Sequence, residues 1–128
     1  LDAGAAAIIC PMVNTADEAR AFVEAVKFPP LGKRSWGPHR ALALSGLERG
    51  VYLREANTRT VSFAMIETRT AIGNLDAILS VDGVDGVFVG PNDLAASLTD
   101  GRAVDPGETV VSGALDQIME AARRHGKL

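Results

Sequence analysis

The stretch from Val61 to Asp93 runs VSFAMIETRTAIGNLDAILSVDGVDGVFVGPND, and its reading decides the fold. Val61 to Glu67 is a short apolar run carrying two β-branched residues and an aromatic, which predicts a strand. Thr70 to Leu79 follows, with Ile72, Leu75, Ile78 and Leu79 at helical spacing. Val84 to Val89 is a second apolar run, closed by Gly90-Pro91-Asn92-Asp93, and predicts another strand. Strand, amphipathic helix and strand in this order form a βαβ unit with parallel strands.

The pattern extends outward in both directions. Ala5 to Val13 (AAAIICPMV) is continuously apolar, as expected of a strand buried on both faces. Asn14 and Thr15 offer N-cap chemistry to a helix over Ala16 to Lys27, whose apolar positions are Ala19, Phe22, Val23 and Val26. Phe28 to Gly46 holds three prolines and predicts a long loop, or a loop with one short helical turn. Leu47 to Asn57 predicts a helix with Val51, Tyr52, Leu53 and Ala56 as its apolar members. Beyond Asp93, Leu94 to Leu98 predicts one helical turn. A last helix is expected from Thr109 to His125, with a stripe of Val110, Leu115, Ile118, Met119 and Ala122. The fold class is therefore α/β, with about three parallel strands and flanking helices. A doubly wound sheet and a slice of a (β/α)₈ barrel both fit; a whole barrel needs ~250 residues, about twice this chain.

Composition excludes several classes. The 128 residues are 47% hydrophobic and 23% charged, ordinary for a globular domain. A net charge of −3 leaves no basic footprint for nucleic acid. There is no apolar run of roughly 18 residues that would suggest a membrane span. A single cysteine, Cys10, cannot form an internal disulfide, which agrees with a cytoplasmic setting. The chain opens at Leu1 within an apolar run and closes on HGKL where another strand is expected, so it reads as a piece of a longer protein.

Chemistry concentrates at the strand ends. Glu67 closes one predicted strand and Asp93 lies just past the next. In parallel α/β folds the carboxyl ends of the strands share one face, and that face hosts active sites. Two carboxylates converging there repel unless a cation or a shared proton intervenes. A hard divalent cation takes one or two carboxylates plus waters and substrate oxygens, which fits the pair. The alternative is that each caps the helix after it, Asp93 ahead of Leu94 and Glu67 accepting from the Thr68 to Thr70 amides. The Gly90-Pro91-Asn92-Asp93 turn exposes N–H groups at Asn92 and Asp93 that can hold a carboxylate. His39, His125 and Cys10 read as structural or solvated residues, and Lys33 and Arg34 as possible neighbours of the active face. Trp36 and Tyr52 read as packing residues.

With these motifs in place, Ala64 to Ile78 and Gly83 to Leu98 resemble the HpcH/HpaI aldolase/citrate lyase family of the phosphoenolpyruvate/pyruvate-barrel group. Pro11 to Pro38 is similar to that family's upstream strand, helix and Pro-Pro-x-Gly-x-Arg loop. The resemblance implies that Glu67 and Asp93, 26 positions apart, ligate a divalent metal (Mg²⁺, Mn²⁺ or Co²⁺). It also implies that Gly90, Pro91, Asn92 and Asp93 form the carboxylate-binding turn. Met65 stands where the family often has a substrate-contacting Gln and cannot donate that hydrogen bond. Phe28 replaces a usual Tyr. The family's proton-transferring His/Asp pair and substrate-binding Arg lie on earlier strands, so no catalytic base is assigned within this chain. By resemblance, residues 1–128 are the central part of one barrel domain, lacking its first and last strands. The activity implied is metal-dependent retro-aldol cleavage of a 4-hydroxy-2-oxo acid or 2-keto-3-deoxy sugar acid to pyruvate plus an aldehyde. Alternatives are a citryl- or malyl-CoA-type lyase or thioesterase, or an inactive truncated fragment. The partners expected are a small 2-oxo acid and further copies of the chain, with neither nucleic acid nor membrane.

Overall fold

A computed structural model describes residues 1–128. Three parallel strands, β1 (Ala7–Cys10), β2 (Val61–Ile66) and β3 (Gly86–Val89), pair in the order β1-β2-β3. The registers set Ile9 beside Phe63 and Met65 beside Phe88, while Ile66 pairs with Val89. Along β2 alternate residues Ser62, Ala64 and Ile66 are buried toward the helices, whereas Val61, Phe63 and Met65 are only half-buried on the other face. That second face carries exposed Ile9 and Phe88.

The helices are α1 (Ala16–Val26), α2 (His39–Ser45), α3 (Arg49–Arg59), α4 (Arg69–Gly73), α5 (Leu75–Leu79), α6 (Pro91–Leu98) and α7 (Thr109–Arg124). Helix α1 starts at a complete capping box. The Thr15 side chain accepts from the Glu18 N–H, and the Glu18 carboxylate accepts from the Thr15 N–H. Its predicted apolar residues, Ala19, Phe22, Val23 and Val26, are all buried. The main core joins Ala19 and Val23 to the sheet and to α5, α6 and α7 through Ile66, Ile78, Leu79, Leu94, Val111 and Ile118. A smaller cluster of Phe28, Ala41, Tyr52 and Ala56 closes the Pro-rich segment, with Trp36 edge-on to Tyr52 at 6.2 Å. None of the helices is long and apolar enough to cross a membrane.

Four expectations are corrected. Strand β1 is shorter than its apolar run, and half-exposed rather than buried on both faces, because one of its edges is unpaired and one face uncovered. The helix predicted over Thr70 to Leu79 is two helices. The break falls at Asn74, whose side chain leaves the helical path to donate to the Asn14 carbonyl at 2.8 Å. Helix α6 begins at Pro91, not Leu94, since proline's fixed φ and missing N–H suit the first helical position. The buried stripe of α7 is Val111, Ala114, Ile118, Ala121 and Ala122, with Val110 and Met119 exposed. The sequence stripe is shifted because small alanines, rather than bulkier side chains, face α5 and α6.

The N-terminal ends of the strands are tied by a buried lysine. Lys27 Nζ donates to the carbonyls of Asn57 (3.0 Å) and Thr60 (2.6 Å) and to Asp85 Oδ2 (2.6 Å). The Ser62 N–H reaches the same Asp85 oxygen at 2.8 Å. Partial burial pushes the Asp85 carboxyl up, but the bonds from Lys27 and Ser62 together outweigh it and leave it below the usual carboxylate range. At the far edge of β3, Leu128 donates to the Asp85 carbonyl and accepts from the Val87 N–H, a parallel ladder step.

Candidate metal centre

Glu67 is the first residue beyond β2, and because Ile66 pairs with Val89 it stands level with Gly90. It is only 4% exposed. One carboxylate oxygen, Oε1, accepts from the Met12 N–H at 2.9 Å. Met12 sits in the turn after β1 at φ 57°, a left-handed conformation uncommon for a residue with a side chain. The other oxygen lies against Gly90. A Cβ built on Gly90 would collide with Glu67 Oε2, come within 2.7 Å of Met65 Cε and lie 3.0 Å from Glu67 Cβ. The Glu67 carboxylate thus fills the space that any side chain at position 90 would need.

No Lys, Arg or His pairs with Glu67 or Asp93. A carboxylate this buried is normally matched by a cation, because removing it from water unpaired is expensive. Asp93 lies in the first turn of α6, exposed, on the strand end next to that of Glu67. Both carboxylates therefore belong to the C-terminal edge of neighbouring parallel strands. No cluster of three or more His, Cys, Asp and Glu forms anywhere. Two carboxylates without a third protein ligand suit a hard cation that completes its shell with water or substrate oxygens.

The helix-capping alternative fails for both residues. Gly90 is the N-cap of α6 and Asp93 caps nothing. Thr68, not Glu67, caps α4, its hydroxyl oxygen accepting from the Ala71 N–H at 3.0 Å. Pro91 has no N–H, and the first-turn N–H groups of Asn92 and Asp93 have no helical acceptor and no side-chain cap. They open at the same edge as the two carboxylates.

The HpcH/HpaI aldolase/citrate lyase family model matches residues 1–127. The chain belongs to this family. A hydroxypyruvate/pyruvate aldolase of Rhizorhabdus wittichii is 48% identical over 99% of the chain, which covers 49% of that relative. A 2-keto-3-deoxy-L-rhamnonate aldolase of Klebsiella pneumoniae is 44% identical over 99% of the chain and is covered to 47%. The crystal structure of an HpcH/HpaI aldolase from Desulfitobacterium hafniense superposes with a TM-score of 0.87 at 31% identity, covering 98% of the chain and 48% of that structure. The chain thus spans about half the length of the curated relatives it matches. Its three strands and flanking helices are a segment of this family's (β/α)₈-type fold.

Within this HpcH/HpaI segment, Met65 lies beside the centre, half-buried, with its Cε against Gly90. Lys33 and Arg34 do not approach it. Their loop follows the C-terminus of α1, which an antiparallel helix carries to the N-terminal end of the strands, and their N–H groups bond the carbonyls of Glu24 and Lys27. The Arg34 side chain stacks 4.4 Å from the Phe28 ring centre and pairs with Asp2. His39 is exposed at the start of α2, and His125 Nε2 lies 2.8 Å from Asp76. Cys10 packs against the core, and burial followed by the nearby Glu18 charge pushes its thiol up, away from the reactive thiolate.

Sequence reasoning missed Met12 and the role of Asn14. Asn14 was a candidate helix cap, but it braces the centre instead. Its Nδ2 donates to the Met12 carbonyl at 2.8 Å, and its Oδ1 accepts from the Thr68 hydroxyl. The Met12 contribution is a main-chain N–H, which leaves no signature in residue type.

Proposed function

We propose that Glu67 and Asp93 hold a divalent cation, Mg²⁺, Mn²⁺ or Co²⁺, in a carbon–carbon lyase that cleaves 4-hydroxy-2-oxo acids or 2-keto-3-deoxy sugar acids. The products are pyruvate and an aldehyde. The observation that carries the reading is a nearly buried Glu67 with one main-chain hydrogen bond and no cationic side chain, at the end of the strand next to the one that leads into Asp93. The names of the relatives supply the substrate class: they are aldolases of hydroxypyruvate/pyruvate and of a 2-keto-3-deoxy sugar acid.

Each residue has a role in this reading. The bound cation would supply Lewis acidity, polarising the 2-oxo group as the carbon–carbon bond breaks. Glu67 enters as a fixed ligand, because the Met12 N–H and the Gly90 backbone leave its carboxylate little room to move. Asp93 is the solvent-facing ligand. The N–H groups of Asn92 and Asp93 orient the substrate carboxylate at the start of α6, where the helix dipole favours negative charge. Met65 presents an apolar wall, favouring substrates with no polar group on that side. Proton transfer falls to residues of the whole protein outside this segment, since His39 and His125 stand away from the centre.

The test is pyruvate release from a 4-hydroxy-2-oxo acid with Mn²⁺ or Mg²⁺, followed by excess chelator, on this chain and on the whole protein. Chelator-sensitive release by the whole protein is expected. Release that survives metal removal would contradict the metal role, and no release from any such acid would contradict the aldolase reading.

A further inference from the structure

We infer that Gly90 and the main-chain N–H of Met12 together form a seat that presents the Glu67 carboxylate to its ligand, making Gly90 a positioning residue. The inference rests on the reading of Glu67 as a metal ligand and adds a constraint to it. A free glutamate side chain samples many rotamers, and each one frozen on binding weakens affinity. Here the freezing is done beforehand. The Met12 N–H, aimed by the left-handed backbone of a residue whose own side chain is 54% exposed, fixes Oε1 from the β1 side. Left-handed backbone at a residue with little packing to gain from it is the kind of strain that functional sites retain.

Gly90 closes the seat from the β3 side. Its φ of −94° and ψ of 87° do not demand glycine, so flexibility does not account for it. Space does. A methyl at position 90 would run into Glu67 Oε2, Glu67 Cβ and Met65 Cε. The Met65 methyl is the end of a flexible chain and can give way. Glu67 Cβ, 3.0 Å away on the main chain just beyond β2, has little room to yield, and Glu67 Oε2, which lies closer still, must move, so the carboxylate shifts from the seat.

The test is a double-mutant cycle read by Mn²⁺ binding in the whole protein, following free Mn²⁺ by its electron paramagnetic resonance signal. Gly90→Ala is expected to weaken Mn²⁺ binding by about 10-fold or more, as does loss of a group that orients a ligand. Glu67→Asp shortens the side chain and draws the carboxylate back from the new methyl. Its effect on binding should therefore be smaller in the Gly90→Ala background than in the native one, a coupling that a merely structural glycine would not produce. Should Gly90→Ala also lower the melting temperature, the double variant is expected to recover part of it. Equal Mn²⁺ binding by Gly90→Ala and the native protein, or strictly additive effects in the cycle, overturns the seat. Native protein that binds no Mn²⁺, or Glu67→Gln that binds it equally well, overturns the metal reading and the seat together.

Discussion

The two ends of the same strands hold two carboxylates in opposite ways. At the N-terminal end Asp85 accepts from Lys27 and from Ser62, and Lys27, 1% exposed, spends its remaining protons on the carbonyls of Asn57 and Thr60. Every charge there has a partner inside the chain. At the C-terminal end Glu67 is more buried than Asp85, yet receives one main-chain N–H and no cation. The first arrangement locks α1 to β2 and β3 and serves stability. The second leaves a carboxylate with no cationic side chain to match it. The contrast obeys the rule for (β/α)₈ folds, in which the N-terminal face supports the fold and the C-terminal face does the chemistry.

The sharpest way to break the comparison is Glu67→Gln, the largest effect expected. Divalent-metal affinity should fall on the order of 100-fold or more, since loss of an outer-shell partner already reaches that figure. Stability without metal should hold or rise by up to about 1 kcal/mol, as when a strained functional group is removed. Calorimetric metal titration and a denaturant melt check the two halves. Lys27→Met should do the reverse, leaving metal affinity unchanged while lowering stability by about 2 kcal/mol. That is less than the usual ~3–5 kcal/mol for breaking a buried pair, because Asp85 is partly exposed to solvent. A Lys27→Met protein as stable as the native one would remove the stability role of that end.

A subtler effect comes with acid. The folded-state Asp85 carboxyl lies below its ordinary range, so its contribution is complete above the unfolded aspartate value of ~3.9 and is lost as pH falls from there through the depressed folded value. The stability gap between the native protein and Asp85→Asn should therefore be constant from neutral pH down to about pH 5 and shrink below pH 4. A gap independent of pH would mean that Asp85 is not held as its charged form. The smallest effect is at Met65. Met65→Gln restores a donor beside the centre and should change preference among substrates through KM while leaving metal affinity within about 2-fold.

Much of this was legible in the sequence because it depended on residue type and spacing. The parallel α/β order came from three apolar runs separated by helical patterns, and Glu67 and Asp93 stood out because each ends or follows a strand. The capping box at Thr15 and Glu18 was half visible, with Thr15 and Asn14 both suitable. Most of the features that stayed hidden depended on main-chain geometry or on phase. The Met12 N–H comes from backbone conformation and the break at Asn74 from a contact with Asn14, distant in sequence, whereas Pro91 at the start of α6 is a residue-type signal that a search for apolar spacing passes over. The buried stripe of α7 keeps the expected Ile118 and Ala122 but also runs through Ala114 and Ala121, small residues whose burial a search for large apolar side chains passes over. The loop of Lys33 and Arg34, open from the sequence to a place near the active face, lies at the other end, because its position is set by the helix before it and not by the strand.

The central claim is that a divalent cation completes Glu67, and the most direct test is thermal unfolding with and without Mn²⁺, for the native protein and Glu67→Gln together. Mn²⁺ at about 100 times the native dissociation constant should stabilise the native protein by ~2.7 kcal/mol and Glu67→Gln by no more than about 0.4 kcal/mol. An equal shift in both proteins, or none in the native one, would contradict the account.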